Sequence, residues 1–190
     1  MTSEQETLFV LLRHLDDLGI PYMVSGSLAS SYHGRPRSTH DADVIVDPNT
    51  EQLAALVQRL LDGGFYVDAR RAHDSLLLRS QFNAVDPHSG FKLDLIVRKS
   101  RPFSQEEFAR RQRVELSAGV NAVVSSAEDT ILAKLEWSRK AGRSERQIED
   151  AAGVLAVNPG LDRAYVERWA RELGVLDLWQ EILGRVTPSL

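Results

Sequence analysis

The chain has 190 residues, 43% of them hydrophobic and 26% charged with a net charge of −4, a globular composition that excludes intrinsic disorder, collagen-like repeats and low-complexity architecture. It contains no cysteine, which removes disulfides, thiolate nucleophiles and cysteine-ligated zinc and leaves carboxylates, hydroxyls and five histidines to carry any chemistry. No apolar stretch approaches the roughly 18 residues of a membrane span, and the start, with Glu4 and Glu6, has neither the basic nor the apolar region of a signal peptide, so a cytoplasmic protein with no membrane partner is expected.

Leu8, Leu11, Leu12, Leu15 and Leu18 recur at helical spacing and stop at Gly19, which predicts an opening amphipathic helix. A short strand over Tyr22–Ser25 follows, then a short helix over Ser27–Tyr32 and a loop around Gly34 and Pro36. Ala42–Val46 reads as a buried strand. Thr50 is placed to cap a helix carrying Leu53, Leu56, Val57, Leu60 and Leu61, which Gly63 and Gly64 close. Leu76–Arg79, Phe82–Val85 and Phe91–Val97 read as further strands of a mixed sheet, with Asp86, Pro87 and Gly90 turning the chain between the last two. From Ser126 the pattern is helical in four segments, Ser126–Lys140, Ser144–Ala156, Asp162–Leu173 and Val175–Val186, divided by Gly142, the Asn158-Pro159-Gly160 stop and Gly174. The expectation is an α/β (α+β) mixed sheet with flanking helices over residues 1–120, followed by a helical bundle over 121–190. Charge is uneven along the chain. Arg98–Arg146 carries 11 Lys and Arg against 7 Asp and Glu, a local +4, while the remainder has 12 against 20, a net −8. Such a stretch attracts a polyanion or is simply a solvated helix face.

The chemistry concentrates in carboxylates. Asp41 and Asp43 stand two apart at the start of an apolar strand, so their side chains leave one face about 6.6 Å apart along it. Two acids so placed repel unless something positive lies between them, and hard divalent cations favour oxygen ligands of this kind. Asp94 interrupts a second apolar strand whose other face carries Leu93, Leu95 and Val97. Three carboxylates on neighbouring strands can hold two cations about 3.5 to 4 Å apart, the arrangement used in phosphoryl transfer. An isolated Asp-x-Asp also serves simply to solvate a strand end. Upstream, Val24-Ser25-Gly26-Ser27 feeds a strand through a glycine into a helix whose first free N–H groups suit a phosphate, although most Gly-Ser turns are only caps. Arg35 and Arg37 flank Pro36, where guanidinium groups can clamp phosphate oxygens, Arg37 being the better placed. His33 and His40 read as loop or capping residues, with no His-x-x-x-His pair to suggest zinc, and Asp47 as a strand end. Trp137, Trp169 and Trp179 read as core or interface packing.

In this ordered combination, Gly26-Ser27, Arg37-x-Thr39-x-Asp41-x-Asp43 before an apolar strand and Asp94 in a later one, the sequence resembles the DNA polymerase beta-type nucleotidyltransferase superfamily. The likeness covers roughly residues 20–100. The helical half is similar to the minimal nucleotidyltransferases and to the abortive-infection nucleotidyltransferase toxins, in which a helix lysine and an aspartate following a basic residue belong to the active site. Lys134 and Asp150, the latter after Arg146, occupy the corresponding places. The resemblance implies that Asp41, Asp43 and Asp94 are catalytic and hold two Mg²⁺ ions, with Mn²⁺ as a substitute, Asp94 also helping to deprotonate the acceptor. It implies nucleotide binding by Gly26, Ser27, Arg37, Thr39, Lys134 and Asp150, and transfer of a nucleoside monophosphate from an NTP to an acceptor hydroxyl, with an RNA end or a protein side chain favoured and a small aminoglycoside-like alcohol as the alternative. A non-catalytic partner of the same fold, as in a toxin and antitoxin pair, is the alternative; the oligomeric state has no signature.

Periodicity reads these last two residues differently. Lys134 lies beside the apolar stripe of its helix, where it either meets an anion or snorkels to water. Asp150 lies across from the stripe of Ile148, Ala151, Ala152 and Leu155, at surface-pair spacing from Arg146.

Overall fold

The computed structural model describes residues 3–117 and 120–186, which form two compact units, each discontinuous in sequence. The first comprises the chain up to Val24 together with Thr39–Val124; the second comprises Ser25–Ser38 together with the chain from Ser125 onward.

The chain opens with helix α1 (Ser3–Asp17) and strand β1 (Tyr22–Val24), crosses to the second unit for helix α2 (Gly26–His33), and returns for β2 (Asp41–Val46) and α3 (Thr50–Asp62). Asn49, and not Thr50, caps α3: its side chain accepts from Gln52 N at 2.8 Å while Gln52 Oε1 accepts from Asn49 N at 3.0 Å, and Thr50 is the first helical residue. After β3 (Tyr66–Val67) comes α4 (Ala69–Leu78), where a strand was expected over Leu76–Arg79. Asp68 caps this helix by accepting from the N–H groups of Arg70 and Arg71, and Arg79 ends it in the left-handed conformation at φ 46°. Three consecutive leucines are good helix formers, and the helix buries only a narrow face, Ala72 and Ser75, which leaves Leu77 and Leu78 exposed. Strands β4 (Gln81–Val85) and β5 (Lys92–Val97) form the expected hairpin. Helix α5 (Pro102–Ala109), with proline at its start, and the hairpin of β6 (Gln112–Ser117) and β7 (Val120–Val124) occupy a region where no element was expected.

The described strands form one seven-stranded mixed sheet in the order β3-β4-β5-β2-β1-β7-β6, parallel between β5 and β2 and between β1 and β7. One face is sealed: Val24, Ala42, Val44, Val46, Ala84, Leu93, Leu95, Val97 and Val124 have no exposed surface. The fully buried Leu11 and Leu15 of α1 and Leu56 and Leu60 of α3 supply the matching apolar stripes, at roughly 1.5–3 kcal/mol of burial for each such side chain. The opposite face of β2 and β5 carries Asp41, Asp43, Lys92 and Asp94.

In the second unit, α6 (Ala127–Lys140), α7 (Glu145–Val157), α8 (Arg163–Glu172) and α9 (Leu176–Val186) follow the four predicted segments closely. Ser126 caps α6 through Asp129 N, and Asp162 caps α8 through Tyr165 N. Asp129 is fully buried, with its two carboxylate oxygens taking the Ser126 and Tyr165 hydroxyls at 2.7 and 2.6 Å. Trp169 and Trp179 are core residues as expected, whereas Trp137 is 60% exposed. Helix α2 packs against α6 and α7. His33 ends α2 bonded at 2.7 Å to the Ser125 carbonyl, and burial holds its ring below the ordinary histidine range.

The approach of α2 to α7 is close at Gly34, where an added Cβ would lie 2.8 Å from the Ser30 carbonyl oxygen and 2.9 Å from Val154 N, both backbone atoms. Gly34→Ala is therefore expected to destabilise the protein by about 1–3 kcal/mol in chemical denaturation. Gly153→Ala, whose Cβ would meet the side chain of Arg35 at 3.6 Å and its backbone N at 3.8 Å, both ordinary van der Waals contacts, should instead gain about 0.5–1 kcal/mol of helix stability.

Candidate active site

In the first unit the in-register parallel pairing of β2 with β5 sets Asp43 directly beside Asp94 and Asp41 beside Lys92, on neighbouring strands about 4.8 Å apart. All four side chains leave one face because the period of a strand is two residues. Thr39 Oγ1 donates to Asp41 Oδ1 at 2.8 Å, which orients that carboxylate. Asp94 is buried, 7% exposed; its Oδ2 lies 2.7 Å from Lys92 Nζ, and its Oδ1 is buried with no hydrogen-bond partner among the described residues. The hydrogen bond to Asp94 raises the Lys92 pKa above its ordinary value; burial opposes this, and the charges of Asp94, Asp41 and Asp43 add to it. Lys92 is the site residue that sequence reasoning passed over, although its place two before Asp94 already puts both on one face.

The donor set suits a hard cation. Three carboxylates are hard oxygen ligands of the type Mg²⁺ takes, and the partnerless Asp94 Oδ1 is a buried acceptor that a cation would satisfy. As the side chains stand, no three acidic or imidazole groups among the described residues converge on one point, and the Lys92 ammonium holds the other Asp94 oxygen.

The second unit holds the other sequence-predicted residues. Gly26 starts α2 at φ 60°, a left-handed conformation that glycine adopts without strain. Arg37 donates from Nη2 to Ser27 Oγ at 2.5 Å and makes a two-pronged pair with Asp150, Nε to Oδ1 at 3.1 Å and Nη2 to Oδ2 at 3.0 Å. Its Nη1 reaches the Ser38 carbonyl at 3.3 Å. Four of its five N–H groups are thus committed within the protein. Lys134 Nζ, its side chain only 5% exposed, donates to Asp150 Oδ2 at 2.8 Å, so the lysine meets an anion rather than water. The sequence pattern pairs Asp150 with Arg146 on the surface; in the structure its carboxylate turns inward to Arg37 and Lys134 instead. An open cleft of about 600 Å³ lies beside this cluster, lined by Arg35, Arg37, Glu149, Asp150, Gly153 and Arg185 among others. The structure thus brings Asp41, Asp43 and Asp94 together, with Thr39, in one unit and Gly26, Ser27, Arg37, Lys134 and Asp150 in the other.

Several basic residues of the Arg98–Arg146 stretch pair with acids that lie outside it. Arg98 bonds Asp47 at 2.8 Å, Arg113 lies 3.6 Å from Asp16, Arg143 bonds Glu181 at 2.7 Å, and Arg139 pairs with Asp177.

No protein-family model and no curated protein sequence matches this chain. Its fold is that of nucleotidyltransferase-like proteins. Similar solved structures include an antigenic nucleotidyltransferase-like protein from Paracoccidioides brasiliensis, at TM-score 0.60 and 17% identity over 95% of this chain and 92% of that one. The antibiotic-resistance factor ANT(2'')-Ia is similar in its solution structure, at TM-score 0.59 and 13% identity over 98% and 100% of the two chains. The same factor in complex with adenylyl-2''-tobramycin gives TM-score 0.62 and 17% identity over 91% and 98%.

Burial alone would push the Asp150 carboxyl up, but the hydrogen bonds and charges of Arg37 and Lys134 outweigh it and hold its pKa below the ordinary 3.8. A carboxylate depressed in the folded state stabilises the fold above its unfolded pKa, and the contribution disappears as pH falls through the folded value. Asp150→Asn should therefore flatten the acid limb of the stability curve below about pH 4, measured by denaturant unfolding across pH. Asp150→Ala should cost about 3–5 kcal/mol near neutral pH because it removes the carboxylate that Arg37 and the buried Lys134 ammonium share.

Proposed function

We propose that this protein is a metal-dependent nucleotidyltransferase that moves a nucleoside monophosphate from an NTP to the hydroxyl of an acceptor, releasing pyrophosphate. The observation that carries this reading is the carboxylate face of the sheet, Asp43 beside Asp94 in register with Asp41 two residues along, where Asp94 keeps a buried oxygen with no partner among the described residues. Its likeness in fold to nucleotidyltransferase-like proteins over nearly the whole of both chains supports it.

Asp41, Asp43 and Asp94 would hold the divalent cation, Mg²⁺ or its substitute Mn²⁺, which supplies positive charge for the triphosphate and the leaving pyrophosphate. Asp94 accepts the proton of the acceptor hydroxyl as its oxygen bonds to the α-phosphorus and the bond from that phosphorus to the β-phosphate oxygen breaks. Thr39 keeps Asp41 oriented through its 2.8 Å hydrogen bond. Gly26 and Ser27 bind phosphate oxygens through the free N–H groups that begin α2. Arg37, Lys134 and Asp150 serve that turn from behind, because the Arg37 guanidinium that grips Ser27 Oγ is itself fixed by Asp150 and Lys134.

We take the acceptor to be a small polyhydroxylated molecule. Two observations favour this: several basic residues between Arg98 and Arg146 are already paired with acids outside that stretch, and one structure of similar fold is a complex with adenylyl-2''-tobramycin. RNA ends, protein side chains and a non-catalytic partner role are separated by the same assay. The protein, incubated with each α-labelled NTP, Mg²⁺ and in turn aminoglycoside-like alcohols, total RNA and cell protein, should label the small alcohol. Asp41→Asn and Asp43→Asn should abolish the label, and Asp94→Asn should lower kcat by about 10²–10⁴-fold as expected for loss of a general base. Transfer retained by Asp41→Asn, in a preparation free of contaminating enzymes, overturns the assignment; nucleotide binding without transfer to any acceptor favours the partner role.

A further inference from the structure

Lys92 occupies an unusual position. It is a cation placed among three acids, next to Asp41 in register, two residues before Asp94 and diagonal to Asp43. Its ammonium lies 2.7 Å from Asp94 Oδ2, and the other oxygen of that carboxylate is buried without a partner among the described residues. The face therefore carries three carboxylates and one ammonium, and no three ligating side chains converge among the described residues. A surface lysine pairing with a neighbouring acid would be unremarked. Here the acid it holds has a side chain only 10% exposed, while the lysine itself is 40% exposed, so the lysine can leave and the acid cannot. A four-carbon stem with rotatable bonds suits that movement, and an ammonium is a compact point charge of the kind that substitutes for a metal ion among carboxylates.

We propose that Lys92 is a positioning residue that stands in for the divalent cation: its ammonium offsets part of the negative charge of the Asp41, Asp43 and Asp94 face, holds Asp94 by Oδ2, and must release that oxygen before Asp94 ligates a cation. The inference rests on the reading of these three aspartates as cation ligands. Its consequence is competitive: the protein binds a divalent cation more weakly than the bare carboxylates would, by the fraction of molecules in which Lys92 has let go. A lysine that merely packed its stem against the sheet would have no such effect.

The test measures binding and stability and needs no turnover. Mn²⁺ is titrated into the full chain and followed by the paramagnetic resonance signal of free Mn²⁺, for the natural sequence, Lys92→Met, Lys92→Arg and Asp43→Asn; melting is followed in EDTA and in saturating Mn²⁺. Lys92→Met should bind Mn²⁺ about tenfold more tightly, melt lower than the natural protein in EDTA because Asp94 loses the Lys92 ammonium, and recover in Mn²⁺. Lys92→Arg, which keeps the charge and can grip a carboxylate with two N–H groups, should retain the melting temperature in EDTA and bind Mn²⁺ no more tightly than the natural sequence. Equal affinity in the natural protein and Lys92→Met, with Asp43→Asn weakened, overturns the role of Lys92 and leaves the aspartates as ligands. Absence of saturable binding in all variants overturns both. If Lys92→Met folds only in Mn²⁺, the inference is supported; if it folds in neither condition, Mn²⁺ binding by Lys92→Arg decides, with tighter binding than the natural sequence overturning it.

Discussion

The parallel register between β2 and β5 is the constraint from which the candidate site follows. On one side of this strand pair lie Ala42, Val44, Val46, Leu93, Leu95 and Val97, all without exposed surface, and on the other lie Asp41, Asp43, Lys92 and Asp94. A strand has two faces, so a slip of one residue would turn the aspartates into the core and the valines out of it. The apolar side thereby specifies the polar side: the free energy of burying those aliphatic groups selects the one alignment in which Asp43 and Asp94 stand side by side. The cost of gathering like charges is met locally, by Thr39 at Asp41 and by Lys92 at Asp94.

The second unit solves the opposite problem. There one carboxylate, Asp150, is shared by two cations, Arg37 and Lys134, and the group with least contact to water is the lysine. Removing the acid would take from both cations the carboxylate they share, and removing either cation would weaken the compensation of the acid, so the three residues behave as a set. Because Arg37 also reaches Ser27, the set fixes the start of α2, the turn at which the free N–H groups lie. Elsewhere on this unit Arg139, Arg143 and Arg185 pair with Asp177, Glu181 and Glu145, which turns a strongly charged surface into a balanced one.

What the sequence made legible was whatever depends on short-range pattern. The Asp-x-Asp at the head of an apolar strand, the lone Asp94 and the four helices from Ser126 are all visible in spacing and caps. Leu76–Leu78 was ambiguous because three consecutive apolar residues fit a strand or a helix, and the decisive cap, Asp68, lies eight residues earlier. The β6 and β7 hairpin was passed over although Arg113, Val114, Glu115 and Leu116 alternate as the residues of a half-exposed strand do. Asp150 shows the limit most clearly. Helical periodicity reports neighbours within one turn, and its partner Arg37 lies 113 residues away. Lys92 is the converse case, since its relation to Asp94 was readable from a spacing of two.

The chain passes between its two units three times, after Val24, after Ser38 and after Val124, and α2 has its packing partners, α6 and α7, only on the last passage. His33 bonds Ser125 across 92 residues of sequence, and Asn158 bonds the His33 carbonyl across 125. During synthesis at roughly 5–20 residues per second, α2 therefore waits on the order of ten seconds for the helices that will hold it. An eight-residue helix is too short to persist in water alone, so for that interval the Gly-Ser turn has no fixed shape. The candidate phosphate-binding turn is thus made well before the helices that hold it, which ties its assembly to the synthesis of α6 and α7.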